Sequence, residues 1–102
     1  MIFIFWIYKL KKNILIIFQT NSQYKVKISI DPDKTIGDLI ENYFNKIKRR
    51  DLYGDQSIIF AKNGNIFMHN STELIRPHFT GQNDGKIIIV NDVDDKIKSA
   101  QK

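Results

Sequence analysis

The side chains best suited to chemistry in this 102-residue chain are two histidines and two small groups of acids. His69 and His78 lie in loop-like sequence, and the chain has no Cys, so no set at zinc-ligand spacing forms. Asp31 and Asp33 flank Pro32 and read as turn formers or helix caps. Asp92, Asp94 and Asp95 lack the spacing of a calcium loop. No phosphate-cradling glycine loop and no nucleophile motif is present. With no convergent set of groups, the sequence predicts a protein that is not an enzyme, with no metal, no cofactor and no small-molecule substrate.

Basic side chains come next. Net charge is +5, from 16 Lys and Arg against 11 Asp and Glu, and all the basic residues except Arg49, Arg50 and Arg76 are Lys. Such a charge suits nucleic acid, anionic lipid or an acidic protein surface. The high Ile, Lys and Asn content also matches AT-rich codon usage, which discounts part of the charge. The densest run is Lys46, Lys48, Arg49 and Arg50, a candidate site for an anionic partner. A local explanation competes, because cations at a helix C-terminus complement the helix dipole. Aromatic residues interleaved for base stacking are missing there, since Tyr43 and Phe44 fit an apolar stripe.

The elements that must position these residues follow from hydrophobic periodicity. Ile14 to Phe18 is apolar and β-branched, and Tyr24 to Ile30 alternates strictly, with Lys25, Lys27 and Ser29 on the polar face. Joined by the polar turn at Thr20 to Gln23, they predict a hairpin. At Pro32 the strand ends, and Asp33 or Thr35 can cap a helix. Ile36, Leu39, Ile40, Tyr43, Phe44 and Ile47 then lie at helical spacing. Ile58 to Ala61 predicts a short strand, Asn63-Gly64 a tight turn, and Ile66 to Met68 a brief return strand. Ser71 to Glu73 can start one helical turn that Pro77 would end. Asn83 to Gly85 marks a turn, Lys86 to Val90 a final strand, and Asn91 onward a polar, fraying tail.

Met1 to Tyr8 is apolar, and Lys9, Lys11 and Lys12 interrupt it before Ile14. A spanning helix needs about 20 mostly apolar residues, and a secretory signal needs a basic leader and a small-residue cleavage site. Neither pattern is met, so no membrane partner is expected. The segment reads as an extra strand, a docking segment or residues from a wrongly chosen start codon. The expected organisation is an N-terminal extension over 1–13, one domain over 14–92 and a polar tail over 93–102.

Val26 to Ile36, Val-Lys-Ile-Ser-Ile-Asp-Pro-Asp-Lys-Thr-Ile, resembles the second strand and helix start of ubiquitin. Gln56 to Ala61 resembles its third strand, and Ile14 falls where ubiquitin begins. The resemblance covers roughly four-fifths of the chain. It implies an α+β fold, the ubiquitin-like β-grasp, with the order β-β-α-β-β-β. Residues 1–13 have no counterpart, and the regions after the helix and between Phe67 and Lys86 are longer. The modifier family ends in Gly-Gly, threaded through a narrow enzyme channel that admits only glycine. This chain has no Gly-Gly, and no Gly after Gly85. The expectation is a domain not conjugated to targets.

In ubiquitin the exposed sheet face carries a small apolar patch used by partners. The resemblance places its centre at Ile59, with Ile88 and Val90 on the last strand facing out and Ile87 and Ile89 facing the helix. Leu15 and Ile17 enlarge the outward apolar area. A cluster of this kind marks a contact surface. The competing reading buries the last strand on both faces, with residues 1–8 as the cover. Function is therefore read as a protein-interaction module, an adaptor or subunit of a larger assembly. The alternative is a small basic protein that binds nucleic acid or an anionic surface. The expected location is the cytoplasm, within a cytoskeletal or other large intracellular assembly. The zero Cys count fits a reducing compartment.

Overall fold

A computed structural model describes residues 13–79 and 86–97. The N-terminal extension, the turn expected at Asn83 to Gly85 and the end of the tail lie outside the described residues, apart from Asn13.

Strand β1, Ile14–Thr20, pairs antiparallel with β2, Lys25–Ile30, so that Ile16 faces Ile28 and Phe18 faces Val26. Period-two alternation drives Ile16, Phe18, Ile28 and Ile30 into the core. Helix α1, Ile36–Lys46, follows. Of the two candidate caps, Thr35 performs the role. Its Oγ1 accepts the Asp38 N–H at 3.0 Å, and Asp38 accepts the Thr35 N–H at 3.3 Å. The stripe Ile36, Leu39, Ile40, Tyr43 and Phe44 is fully buried against the sheet. At the other end Lys48 adopts φ +61°. The Lys48 N–H bonds the Asn45 carbonyl and the Arg49 N–H the Phe44 carbonyl, which makes a Schellman stop.

A 3₁₀ turn at Arg50–Leu52 leads to β3, Ile58–Lys62. Asn63 and Gly64, both with positive φ, turn the chain into β4, Asn65–Phe67, one residue earlier than the sequence predicts. The last strand, β5, runs Ile87–Asp92. It lies parallel to β1 and antiparallel to β3, giving the order β2-β1-β5-β3-β4. Among the described residues, one α-helix packs across a mixed five-stranded sheet, an α+β fold. Phe18 stacks on Tyr43 with centroids 4.4 Å apart, and Phe60 meets both edge-on at 5.8 Å.

Three segments depart from the sequence reading. The helical turn expected from Ser71 is displaced. Backbone over 71–76 instead pairs with 32–37: the Ile36 N–H bonds the Glu73 carbonyl at 2.7 Å, and Thr35 and Leu74 form a bridge. The 3₁₀ turn falls at Arg76–His78, with Pro77 inside it, where a missing N–H costs nothing. Second, the facing of β5 is reversed. Ile88 and Val90 are 0% exposed core residues, whereas Ile87 and Ile89 point outward. Third, the chain is fastened past residue 92. The Asp92 carboxylate accepts the N–H groups of Lys96 and Ile97 at 2.9 and 2.6 Å, and Ile97 is fully buried. Lys96 reaches Asp55 at 2.6 Å, and Arg49 donates to the Lys96 carbonyl at 3.3 Å.

Candidate functional site

The helix covers one face of the sheet, and the other face collects the outward side chains. Strand registers place them in rows. Lys27 lies opposite Ile17, which pairs with Ile87. A longer row crosses all five strands: Lys25, Gln19, Ile89, Ala61 and Ile66. Leu15 is 48% exposed, Ile89 46% and Ile66 69%. Ile17 and Ile59 are half-buried on the same face. Leu15, Ile17 and Ile59 share the outer face, but Leu15 pairs with Ser29 and Ile59 with Asn91, so Leu15 and Ile59 lie toward opposite ends of the sheet. On β5 the outward residues are Ile87 and Ile89 in place of Ile88 and Val90. The proposed cover, residues 1–8, lies outside the described residues.

At the β4 edge this face runs into a groove of about 490 Å³, walled by Tyr53, Ile59, Ile66, Phe67, Met68 and His69 among others. Among the described residues, no Asp, Glu, Lys or Arg lines it. His69 holds the groove's shape. Its Nδ1 accepts the Gly54 N–H at 2.7 Å and its Nε2 lies 2.8 Å from the Ile58 carbonyl. Those partners assign the neutral tautomer with the proton on Nε2. The ring also packs edge-on against Phe60 with centroids 5.2 Å apart. Sequence reasoning missed this groove. Its available signal was the Asn63-Gly64 turn, which fixes Ile66 opposite Ala61 and so puts it on the outer face.

The basic run is divided by the fold. Arg49 forms a two-pronged pair with Asp51, both contacts 2.9 Å, which raises the guanidinium pKa and lowers that of the carboxyl. Arg50 lies 3.6 Å from Glu41. Lys48 occupies the left-handed residue of the helix stop, and Lys46 completes the last helical turn. Each of the four therefore has a local structural reason, and the two arginines already face carboxylates.

His78 pairs with Glu73 at 3.1 Å and sits beside Phe67, away from His69's bonding partners. Among the described residues no group of three His, Asp or Glu is placed to hold a metal ion, and no helix is long and apolar enough to cross a membrane.

No protein-family model matches the chain, and no curated protein matches it. Solved structures do. One, described under molecular mimicry of SUMO that promotes DNA repair, aligns with a TM-score of 0.56 at 21% identity, over 78% of this chain and 91% of that one. The ubl5 domain from the polyubiquitin locus of T. thermophila aligns at 0.56 with 15% identity, over 76% and 90%. A computationally designed protein based on human erythrocytic ubiquitin aligns at 0.50 with 16% identity, over 74% and 86%. The fold is ubiquitin-like, a β-grasp.

Proposed function

We propose that this domain is a protein-interaction module, an adaptor or subunit of a larger cytoplasmic assembly that docks through its open sheet face and is not conjugated to targets. The observation that carries this reading is the outward apolar patch made by two neighbouring rows, Ile17 with Ile87 and Ile89 with Ala61 and Ile66, bordered by Lys25 and Lys27. Contiguous outward aliphatic side chains on a small domain favour a macromolecular contact over exposure to water. The ubiquitin-like fold supports the reading, because that fold presents one sheet face free of its helix. The fastening of residues 92–97 back onto the domain supports the absence of conjugation, since Asp92 and Arg49 hold the backbone after β5 and Asp55 holds the Lys96 side chain. A non-enzymatic role fits His69, whose two nitrogens are both committed to backbone groups.

Affinity capture with mass spectrometry, comparing the wild-type chain with Ile59→Asp and Ile89→Asp, tests the proposal. Proteins recovered by the wild type should be lost from both variants while their thermal midpoints stay near that of the wild type. An unchanged set of recovered proteins with both variants sinks the sheet-face reading.

A further inference from the structure

The outer face is not uniform, and its gradient specifies an occupant. At the β2 edge Lys25 and Lys27 are exposed, and their registers with Gln19 and Ile17 put them on the same face as the apolar row. At the β4 edge lies the groove, walled by Tyr53, Ile66 and Met68 and, among the described residues, lined by no Asp, Glu, Lys or Arg. Met68 is 64% exposed there. Between the two ends run Ile17, Ile87 and Ile89. Lys25 and Ile66 are separated by four inter-strand steps, or about 19 Å at the usual spacing of about 4.8 Å.

We infer that the occupant is a partner's peptide segment with two unlike ends: an uncharged aliphatic or aromatic anchor seated in the groove, and carboxylates over Lys25 and Lys27. This rests on the sheet-face reading and names the partner chemistry. An anchor desolvated in a groove supplies most of the affinity, while rim charges set orientation and association rate. The span fits a helix of about 13 residues lying across the strands, or about six residues in extended form. A second copy of this chain is a poorer occupant. Each copy carries +5, so two faces bordered by lysines repel when brought together.

Selection from a displayed library of random peptides, about 16 residues long to exceed the helical span, tests the assignment. The targets are the wild-type chain, the double variant Lys25→Glu/Lys27→Glu, Met68→Glu and Ile89→Asp, each checked for an unchanged thermal midpoint. Wild-type selection should enrich peptides with Asp or Glu at one end and Leu, Ile, Met, Phe or Trp at the other. The double variant should shift the charged end to Lys or Arg, and Met68→Glu should reduce retention of the wild-type peptides at least tenfold. Enriched peptides that lose binding with Ile89→Asp but ignore the lysine reversal overturn the two-ended occupant and leave the sheet-face reading standing. Peptides that ignore Ile89→Asp overturn both. No enrichment on the wild-type chain overturns the inference, and so does stronger, salt-sensitive retention of a random single-stranded oligonucleotide on this face.

Discussion

Lys96 donates to Asp55 at 2.6 Å, joining the segment after β5 to the loop after the helix. The same carboxylate accepts the Ser57 N–H at 2.9 Å and the Ser57 hydroxyl at 2.7 Å. Lys96 first, and then Ser57, hold the Asp55 carboxyl well below the usual carboxylate range. A depressed folded-state pKa stabilises the fold above the unfolded value and loses that contribution as pH falls through the folded one. The unfolded value for Asp is about 3.9. Denaturant midpoints of the wild type and Asp55→Asn should therefore differ at pH 7, and the difference should shrink progressively as pH falls below that value toward the lower folded-state one. A constant difference from pH 7 to pH 2 would show that Asp55 acts through shape alone.

The reversed facing of β5 has a direct stability test. Ile88→Ala leaves a cavity in the core and should cost about 2–5 kcal/mol. Ile89→Ala touches only the outer face and should stay within about 0.5 kcal/mol of the wild type. Urea unfolding of the two variants, one residue apart, reads the register. Equal losses would contradict it.

Gly37 lies where the helix and the 69–71 backbone meet. A Cβ there would stand 2.8 Å from the Ser71 carbonyl oxygen. The Gly37 N–H already bonds that oxygen at 2.9 Å, so the loop is held in place. Alanine gains roughly 0.5–1 kcal/mol of helix propensity over glycine, but a clash with backbone typically costs about 1–3 kcal/mol. Gly37→Ala should therefore destabilise, and a raised melting temperature would refute the close approach.

Tyr43 is wholly buried, and its hydroxyl has no hydrogen-bond partner among the described residues. Burial pushes the phenol pKa up, and the Asp92 charge pushes it further. Removing an unpaired buried polar atom relieves a desolvation penalty of about 1–3 kcal/mol, set against the small void it leaves. Tyr43→Phe should be neutral or stabilising by chemical denaturation. A loss of more than about 1 kcal/mol, the usual worth of one hydrogen bond, would reveal a partner for the hydroxyl.

Lys48 holds a left-handed conformation that costs an L-residue about 1–2 kcal/mol. Lys48→Gly relieves that cost and should raise stability, though by no more than about 1 kcal/mol, because glycine loses more chain entropy on folding. If the site instead binds an anionic partner, the same substitution should weaken salt-sensitive retention on heparin well beyond the loss of one charge from +5.

Most of the architecture was legible because period-two and helical patterns were clean where polar residues punctuate them. Lys25, Lys27 and Ser29 mark the outer face of β2, and Asp38, Glu41 and Asn42 mark the outer side of α1. Facing could not be read on Ile87-Ile88-Ile89-Val90, because four apolar residues contain no polar reference. A shift of one residue exchanges the two faces. The flanking residues gave opposite cues. Asn91 shares the outward side with Ile89, but Asp92 shares the inward side with Val90 and is nevertheless buried. Its burial depends on the 96 and 97 amides, a contact that strand periodicity does not encode. Lys62 is similar: it is buried on the core side of β3, with its ammonium 4.9 Å over the Phe79 ring. The groove escaped for another reason, since its shape depends on His69 bridging the Gly54 N–H and the Ile58 carbonyl, a contact that no local pattern announces.

The parallel pairing of β1 with β5 puts the earliest and latest strands of the sheet side by side at its centre. Ile17 meets Ile87 only after the whole intervening chain has been made. During synthesis the hairpin and helix can form first, but their apolar faces stay uncovered until β5 arrives. Topologies of this kind fold more slowly than those built from neighbouring contacts. The emerging chain therefore passes through a stage in which Phe18, Tyr43 and Phe60 lack their final neighbour, and chaperone occupancy during translation should peak before β5 leaves the ribosome.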